Sequence, residues 1–402
     1  DDEKKTVELA VPVGLVMGIV PSTNPTSTVL FKSIIALKSR NPIIFSPHPS
    51  AAKCTCRAAE LMEEAAIEAG GPANSVNCLK NLSMEATDAL MHAKEVKLII
   101  ATGGPGMVRA AYSAGKPAIG VGAGNSPAYI EKSANVKDAV ERIMASKTFD
   151  NGTVCASEQS IICEHSNEAE VIAELKKQGG YFMSEEETKK VCKLLFKNGT
   201  AMNAKFVAKN PQVIADAAGI NIPENTRLLV GRQKGVGDDD PLSHEKLTTV
   251  IAFYTVADWE EACELSIRLL QNGIGHTMSI HTESPEMALR FAAKPASRIL
   301  VNTGGTQGGT GASTGLAPSF TLGCGTMGGS SVSENVTPLH LINKKVLAYG
   351  TKDVRTLAEK DDVFQKYHGR VEKNVLSDND NGGISITESE LKEIIAEVIK
   401  AL

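Results

Sequence analysis

Short apolar segments rich in β-branched residues alternate along this chain with longer amphipathic or alanine-rich ones, and that alternation leaves few possible folds. Segments 14–20, 42–45, 97–101, 118–121, 160–163, 228–230, 250–254, 278–281 and 298–301 read as strands. Segments 51–69, 83–92, 108–114, 135–146, 169–177, 185–196, 257–271 and 285–293 read as helices. Strands that each hand over to a helix build largely parallel sheets with helical crossovers, so the pattern predicts an α/β fold. Two glycine-rich turns, Thr102-Gly103-Gly104-Pro105-Gly106 and Gly120-Val121-Gly122-Ala123-Gly124, follow predicted strands. Open α/β sheets bind ligands at the carboxyl ends of their strands. The run 304–315, GGTQGGTGASTG, predicts a flexible loop long enough to favour a functional role.

The chain has 402 residues, enough for two domains. A net charge of −5, one tryptophan and no basic tract argue against a nucleic-acid partner. No apolar run is long enough to predict a membrane span, and the charged start DDEKKTVELA is not a signal peptide. The eight cysteines form no CxxC and no zinc-like spacing with histidine, so no metal site is expected. They read as reduced thiols of a cytoplasmic protein.

One thiol stands apart. Cys155 lies in KTFDNGTVCASEQS, a polar turn at 147–160 that leads into the apolar run Ser160–Cys163. Most free cysteines are small buried hydrophobes. A nucleophilic one needs an accessible, hydrogen-bonding site. A thiolate attacks an aldehyde carbonyl to give a thiohemiacetal, whose oxyanion needs donors and whose hydride needs an acceptor. Asn24, between a predicted strand and helical residues, offers an amide that could act together with the Cys155 backbone N–H. A plain turn asparagine beside proline accounts for it equally well.

The segments VPSTNPTS, IATGGPGMVRAAYSAGKPAIGVGAGNSP, SKTFDNGTVCASEQS, HEKLT, NGIGHT and TLGCGTMGGSSVSENV occur in that order between about 10 and about 350. Together they resemble the CoA-acylating aldehyde dehydrogenases, nearest to the aldehyde dehydrogenase half of bifunctional aldehyde–alcohol dehydrogenases. The resemblance implies a Rossmann-like NAD domain over 1–123, with an incomplete N-terminus and a first strand for oligomerisation. It implies an α/β catalytic domain over 124–338 and an oligomerisation strand over 339–352. Family members begin with a further helical segment, and the bifunctional ones continue into an alcohol dehydrogenase half. Neither is in this sequence, so a truncated or unusual start is expected.

By the same resemblance Cys155 is the nucleophile and Asn24 the oxyanion amide. Glu245 holds the nicotinamide ribose, and Thr102, Gly103 and Gly104 form the turn near the pyrophosphate and nicotinamide. Hydrolytic relatives carry a water-activating glutamate in E-L-G-G-K-S-P, where this chain has Val121-Gly122-Ala123-Gly124-Asn125-Ser126-Pro127. Valine accepts no proton, so a thioester on Cys155 is expected to await the thiol of coenzyme A. Where those relatives grip the adenosine ribose with K-P-x-E, this chain has Ser46, Pro47, His48 and Pro49. NAD is the family default, and the sequence leaves NADP open. The resemblance places His276 near the thiol, to take the CoA proton or orient a group; a structural strand-entry histidine fits as well.

The expected reaction joins a short-chain aldehyde, CoA and NAD⁺ to acyl-CoA and NADH, reversibly, in a homodimer or larger homo-oligomer. Gly and Thr within 303–315 suggest a small aldehyde such as acetaldehyde or propionaldehyde. Two other readings are an acyl-phosphate-type semialdehyde reductase and an inactive truncated scaffold subunit. After a polar linker, 353–383, the tail 384–402 reads as a helix capped by Thr387 and Glu390. Leu391, Ile394, Ile395, Val398, Ile399 and Leu402 give it an apolar stripe. It resembles the peptides that target enzymes into bacterial microcompartments, which implies a shell-protein partner through 387–402 and a place in the compartment lumen.

Overall fold

The computed structural model describes residues 1–197, 200–353 and, in the tail, 387, 389, 390, 392, 393 and 396. By packing, the chain forms two units, Asp1–Leu9 with Lys345–Leu402, and Ala10–Lys344.

The larger unit holds two parallel sheets. The first comprises β2 (Leu15–Ile19), β3 (Ile43–Ser46), β4 (Val76–Cys78), β5 (Val96–Thr102) and β6 (Ala118–Val121), following β1 (Thr6–Pro12) in the chain. Its helices are α1 (Pro25–Lys38), α2 (Ala52–Glu68), α3 (Met84–His92) and α4 (Pro105–Ser113). The strand order is β4-β3-β2-β5-β6, and every pairing is parallel. The order reverses between β2 and β5, the point where connecting chains diverge and a crevice opens. Alternate residues feed cores on opposite faces: Val16, Leu98 and Ile100 on one, Met17, Ile99 and Ala101 on the other. A parallel sheet covered on both faces reads as a continuous apolar run, which is why these strands are visible in the sequence.

The second sheet is built from β7 (Ser126–Ile130), β8 (Glu158–Glu164), β9 (Gly180–Met183), β12 (Leu228–Arg232), β13 (Val250–Val256), β14 (Gly275–His281) and β15 (Ala296–Val301). Between them lie α5 (Val136–Thr148), α6 (Glu168–Lys177), α7 (Glu185–Leu195), α8 (Pro211–Ala218), α9 (Trp259–Leu270) and α10 (Pro285–Phe291). A two-residue pair, β10 (Phe196–Lys197) with β11 (Ala201–Met202), and α11 (Gly305–Gly309) complete the unit. The strand order is β15-β14-β7-β8-β13-β12-β9. The expected division at 123/124 falls in the link from β6 to β7. β1 pairs with β16 (Ile342–Ala348). In the smaller unit, Val7, Leu9, Val346, Leu347 and Tyr349 are exposed.

One sequence expectation needs correction, and one element is longer than the sequence shows. The run 304–315 is not a free loop: Gly305–Gly309 is helical, and Gly304, Gly305, Thr306, Gly308 and Gly309 are buried. Its glycines serve close packing, since a Cβ on Gly305 would lie 2.2 Å from the Ala156 carbonyl oxygen. The helix Pro25–Lys38 shows in the sequence only as helical residues after Asn24. Buried Thr28, Lys32 and Ser33 break its apolar stripe. In the tail, the expected capping box is present: Thr387 N–H donates to Glu390 Oε2 (2.9 Å), and Glu390 N–H to Thr387 Oγ1 (3.4 Å). The apolar stripe and the linker over 354–383 lie outside the described residues.

Candidate active site

A cleft of about 400 Å³ opens at the carboxyl end of the first sheet. Three strand exits build one wall. After β2 comes Pro21–Asn24, after β3 Ser46–Pro49, and after β5 Thr102–Gly104. Lys32 sits beneath them, fully buried, its Nζ donating to Ile19 O of β2 (2.7 Å) and Ile100 O of β5 (2.9 Å). One side chain thus ties the two strands at the switch point. Burial pushes its amine down to about 7.

The opposite wall carries Val121, Gly122 and Ala123, Thr153 and Cys155, Glu245 and Leu247, and Phe320. Cys155 follows the 3₁₀ turn Phe149–Gly152, in which Asp150 (φ 47°), Asn151 (φ 50°) and Gly152 (φ 75°) all take left-handed backbone. Asp and Asn tolerate that region better than other side chains, and the turn sets the thiol ahead of β8. The chain passes so close to the exit of β6 that a Cβ on Gly124 would lie 1.9 Å from the Cys155 carbonyl oxygen. Gly124 N–H also donates to Glu245 Oε1 (2.9 Å). Asn125 Nδ2 holds Ser243 O (2.8 Å). These contacts fasten the β6 exit, the thiol turn and the 243–245 segment to one another.

The electrostatics of the cleft favour the protonated thiol, against the environment a nucleophilic cysteine was expected to have. Burial, and then the Glu245 carboxylate, push the Cys155 thiol up to about 12, while the Arg298 guanidinium pulls it down. Burial lifts Glu245 to about 7, opposed by the Gly124 N–H and by Lys147 and Lys246. Asn24 caps α1 without a side-chain cap bond. Its Oδ1 accepts from Thr23 Oγ1 (3.2 Å) and Thr28 Oγ1 (3.4 Å), so the amide nitrogen stays available as a donor.

Of the residues singled out in the sequence, Cys155, Asn24, Glu245, Thr102, Gly103, Gly104, Ser46, Pro47 and His48 all line this one cleft, as does Val121. His276 does not. It is fully buried on β14, bonded through Nδ1 to Thr277 Oγ1 (2.8 Å), with Nε2 unpartnered. Burial, helped by Arg298, pushes it down to about 3, so it is neutral at every ordinary pH. None of 303–315 lines the cleft, which removes the basis for reading substrate size from those residues.

The cleft also holds residues the sequence reading missed. Leu82, Ser83, Met84 and Met107 belong to helix starts, and Phe320 packs edge-on against Phe31 (centroids 6.3 Å). No local pattern distinguishes them from ordinary surface residues. Arg298 is buried and bonded to neutral acceptors, Thr277 Oγ1, Ser333 O, Asn335 Oδ1 and Gly323 O.

The residues fit a dinucleotide. A Cβ on Gly104 or Gly122 would meet nothing within 4 Å, so glycine there leaves room for a ligand rather than for protein. Thr102 Oγ1 is buried without a partner at the turn into α4, where a strand-to-helix turn meets phosphate in folds of this type. Among the described residues no cluster of His, Cys, Asp and Glu could hold a metal, and no helix is long and apolar enough to cross a membrane.

A parallel five-stranded sheet whose switch-point cleft faces a thiol in the turn leading into a second parallel sheet is the architecture of an aldehyde dehydrogenase. The aldehyde dehydrogenase family model matches residues 1–218, and the chain belongs to that family. The bifunctional aldehyde-alcohol dehydrogenase AdhE of Escherichia coli K12 is 48% identical over 355 residues, 87% of this chain and 40% of the relative. The chain therefore spans about 40% of the length of that relative. An acetylating aldehyde dehydrogenase from Geobacillus thermoglucosidasius is 52% identical, with a TM-score of 0.87 over 88% of this chain and 78% of that one. Two propionaldehyde dehydrogenases are each 26% identical. One, from the Clostridium phytofermentans fucose utilisation microcompartment, has a TM-score of 0.80 over 87% of this chain and 78% of its own. The other, from Rhodopseudomonas palustris with bound CoA and an acylated cysteine, has a TM-score of 0.79 over 86% and 77%.

Proposed function

We propose that the chain oxidises a short-chain aldehyde to its CoA thioester with NAD⁺ as hydride acceptor, and runs the reverse reduction. The observation that carries this reading is the meeting in one cleft of Cys155, the Asn24 amide and the open glycine turn after β5, with valine at the β6 exit. Acetaldehyde and propionaldehyde are the substrates to try first, on the strength of the relatives' names.

Once the Cys155 thiol has lost its proton to solvent, Sγ attacks the carbonyl carbon as the thiolate, and the carbonyl electron pair moves to oxygen. The Asn24 amide and the Cys155 backbone N–H donate to that oxyanion. Glu245 holds the nicotinamide ribose; Gly103 and Gly104 let the backbone approach the pyrophosphate. The bound dinucleotide supplies the hydride acceptor. Collapse of the oxyanion leaves a thioester on Cys155. Val121 presents no proton acceptor, so water beside it stays a poor nucleophile, and the CoA sulfur attacks in its place: the new C–S bond forms, the bond to Cys155 Sγ breaks, and acyl-CoA leaves with the Cys155 thiolate restored. His276, neutral and buried behind Thr277, is an orienting residue in this scheme; its burial argues against a proton-accepting role. The acyl-phosphate alternative gains no support, because Arg298 is spent on neutral acceptors and does not line the cleft. The capped tail is a docking helix for a shell protein, and the β1–β16 ribbon with its exposed apolar side chains is a contact between subunits.

The test is NADH formation from acetaldehyde and propionaldehyde, with and without CoA, by the wild type and Cys155→Ala. CoA-dependent turnover that vanishes in the variant is expected. Turnover without CoA would mean that another group activates water. No turnover from folded protein would favour the scaffold reading.

A further inference from the structure

Beneath the thiol and Glu245 lies a second set of buried titratable groups that the chemistry above does not use. Lys147, at the end of α5, is completely buried. Its Nζ donates to Gln159 Oε1 (3.1 Å) and to the Lys246 carbonyl (2.9 Å). Gln159 Oε1 accepts in turn from Lys246 N–H (2.8 Å), so one amide and one ammonium hold both backbone groups of Lys246, the residue after Glu245. Glu158, on β8, is also completely buried. One of its oxygens accepts from Gly305 N–H (2.6 Å), and the other has no hydrogen-bond partner.

We propose that Lys147 is a positioning residue for the cleft carboxylate: it clamps the 245–246 backbone and supplies the positive charge, itself sustained by Glu158, that keeps Glu245 ionised. The inference rests on the reading that Glu245 grips the nicotinamide ribose. An uncompensated buried ammonium is costly, and so is a buried carboxylate. Placed together, each relieves the other. Burial brings Lys147 down and Glu158 and Glu245 up, each to about 7, and the Lys147 charge opposes the rise of both carboxylates. The charge of Lys147 acts on both carboxylates, and Glu245 feels Lys147 first and Lys246 next. Lys147 is thus the group through which Glu158 and Glu245 are linked.

The remaining charged groups near α5 face other parts of it. Arg142 pairs with Asp138 on the solvent side and reaches His281 electrostatically. Glu174 on α6 feels Lys137 near the start of the helix. Arg227 donates to Thr148 Oγ1, and Asp150 Oδ2 accepts from Thr153. Lys246 Nζ is held by the Leu242 and His244 carbonyls, and the Lys147 charge depresses it further.

The experiment is the pH dependence of NADH binding, read by cofactor fluorescence between pH 5.5 and 9 on folded protein. Wild-type affinity is expected to weaken as pH falls through the Glu245 midpoint, and Glu245→Gln to erase that dependence. Lys147→Met moves the midpoint up by about one unit, and Lys147→Arg, which keeps the charge, does not. Glu158→Gln also moves it up, because Lys147 gives up its proton more readily once the anion is gone. The double variant Lys147→Met/Glu158→Gln shows no shift beyond that of Lys147→Met alone. If Lys147→Met does not fold, Glu158→Gln and Lys147→Arg still decide. A midpoint unmoved in Glu158→Gln, or displaced upward in Lys147→Arg, overturns the inference. A wild type that binds no NADH overturns the reading of the cleft instead.

Discussion

Gly124→Ala tests whether the thiol is placed by the backbone of the β6 exit. The added Cβ would stand 1.9 Å from the Cys155 carbonyl oxygen and 2.8 Å from its carbonyl carbon. Real Cβ atoms essentially never approach closer than 3.0 Å, so the contact must open by about 1 Å. The neighbour is backbone and cannot rotate away. The Cys155 side sits between the left-handed turn at 150–152 and β8, and Gly305 packs against Ala156 from behind. The Gly124 side is fixed by its N–H to Glu245 Oε1 and by the Asn125 amide. Whichever side yields, the sulfur or the carboxylate moves by a large part of that distance. A misplacement of about 1 Å costs roughly a hundredfold in rate. The expected result is a kcat/KM for CoA-dependent NADH formation lowered about a hundredfold, with slower alkylation of Cys155 by iodoacetamide. Gly315→Ala, exposed, outside the cleft and with nothing within 4 Å of the new Cβ, is the control. Its kcat/KM should stay at the wild-type value. A Gly124→Ala enzyme within threefold of wild type, at an unchanged melting temperature, would refute the reasoning.

Other substitutions probe separate links. Lys32→Met strips the shared donor from Ile19 O and Ile100 O, two buried carbonyls; a loss of about 2 kcal/mol is expected in urea unfolding, and no loss would mean water replaces the ammonium. Val121→Glu places a carboxylate at the β6 exit, and carboxylic acid formed without CoA should become detectable by NMR; its absence counts against the acyl-transfer argument. His281 is buried without hydrogen bonds to its ring, and burial pushes it down to about 4. Its folded form binds fewer protons than the unfolded chain below pH 6.5, so its contribution to stability is lost as pH falls through the range between those values. His281→Asn should therefore gain about 2 kcal/mol on the wild type between pH 8 and pH 5, read as the difference in unfolding free energy; a constant difference would refute burial as the cause.

The parts of the fold legible in the sequence are those where burial on both faces writes a continuous apolar run: β2, β5, β6 and β13 are plain for that reason. What escaped has physical causes. β7 begins with Ser126-Pro127, which reads as a turn until its pairing with β8 and β14 is known. α1 hides because its buried face carries Lys32 to serve two carbonyls from another part of the chain, a need that no local pattern records. The glycine run after β15 was misread because glycine gives one signal for two requirements. Flexibility and close approach look alike in sequence, and only the 2.2 Å separation at Gly305 shows that close approach is the need here. For the site, most cleft-lining residues legible in the sequence stand in strand exits, whereas Cys155 and Glu245 precede β8 and β13 and are found through their motifs.

The same four residues at the β6 exit serve two purposes. Val121, facing the cleft, denies a proton acceptor to water near the thiol. Gly124, three residues on, meets the thiol's own backbone and donates to Glu245, whose carboxylate helps hold the thiol neutral. A glutamate at 121 would add a second negative charge to a cleft where burial and Glu245 already push Cys155 up to about 12. By the rule that like charge disfavours ionisation, that thiol would ionise less readily still. Hydrolysis on this frame would therefore run more slowly than the added base alone allows, unless a positive charge compensates. The described residues around Cys155 offer Arg298, already engaged with four neutral acceptors. Acyl transfer to an incoming thiol asks for no base at position 121, which makes valine there electrostatically consistent with Glu245 beside the nucleophile.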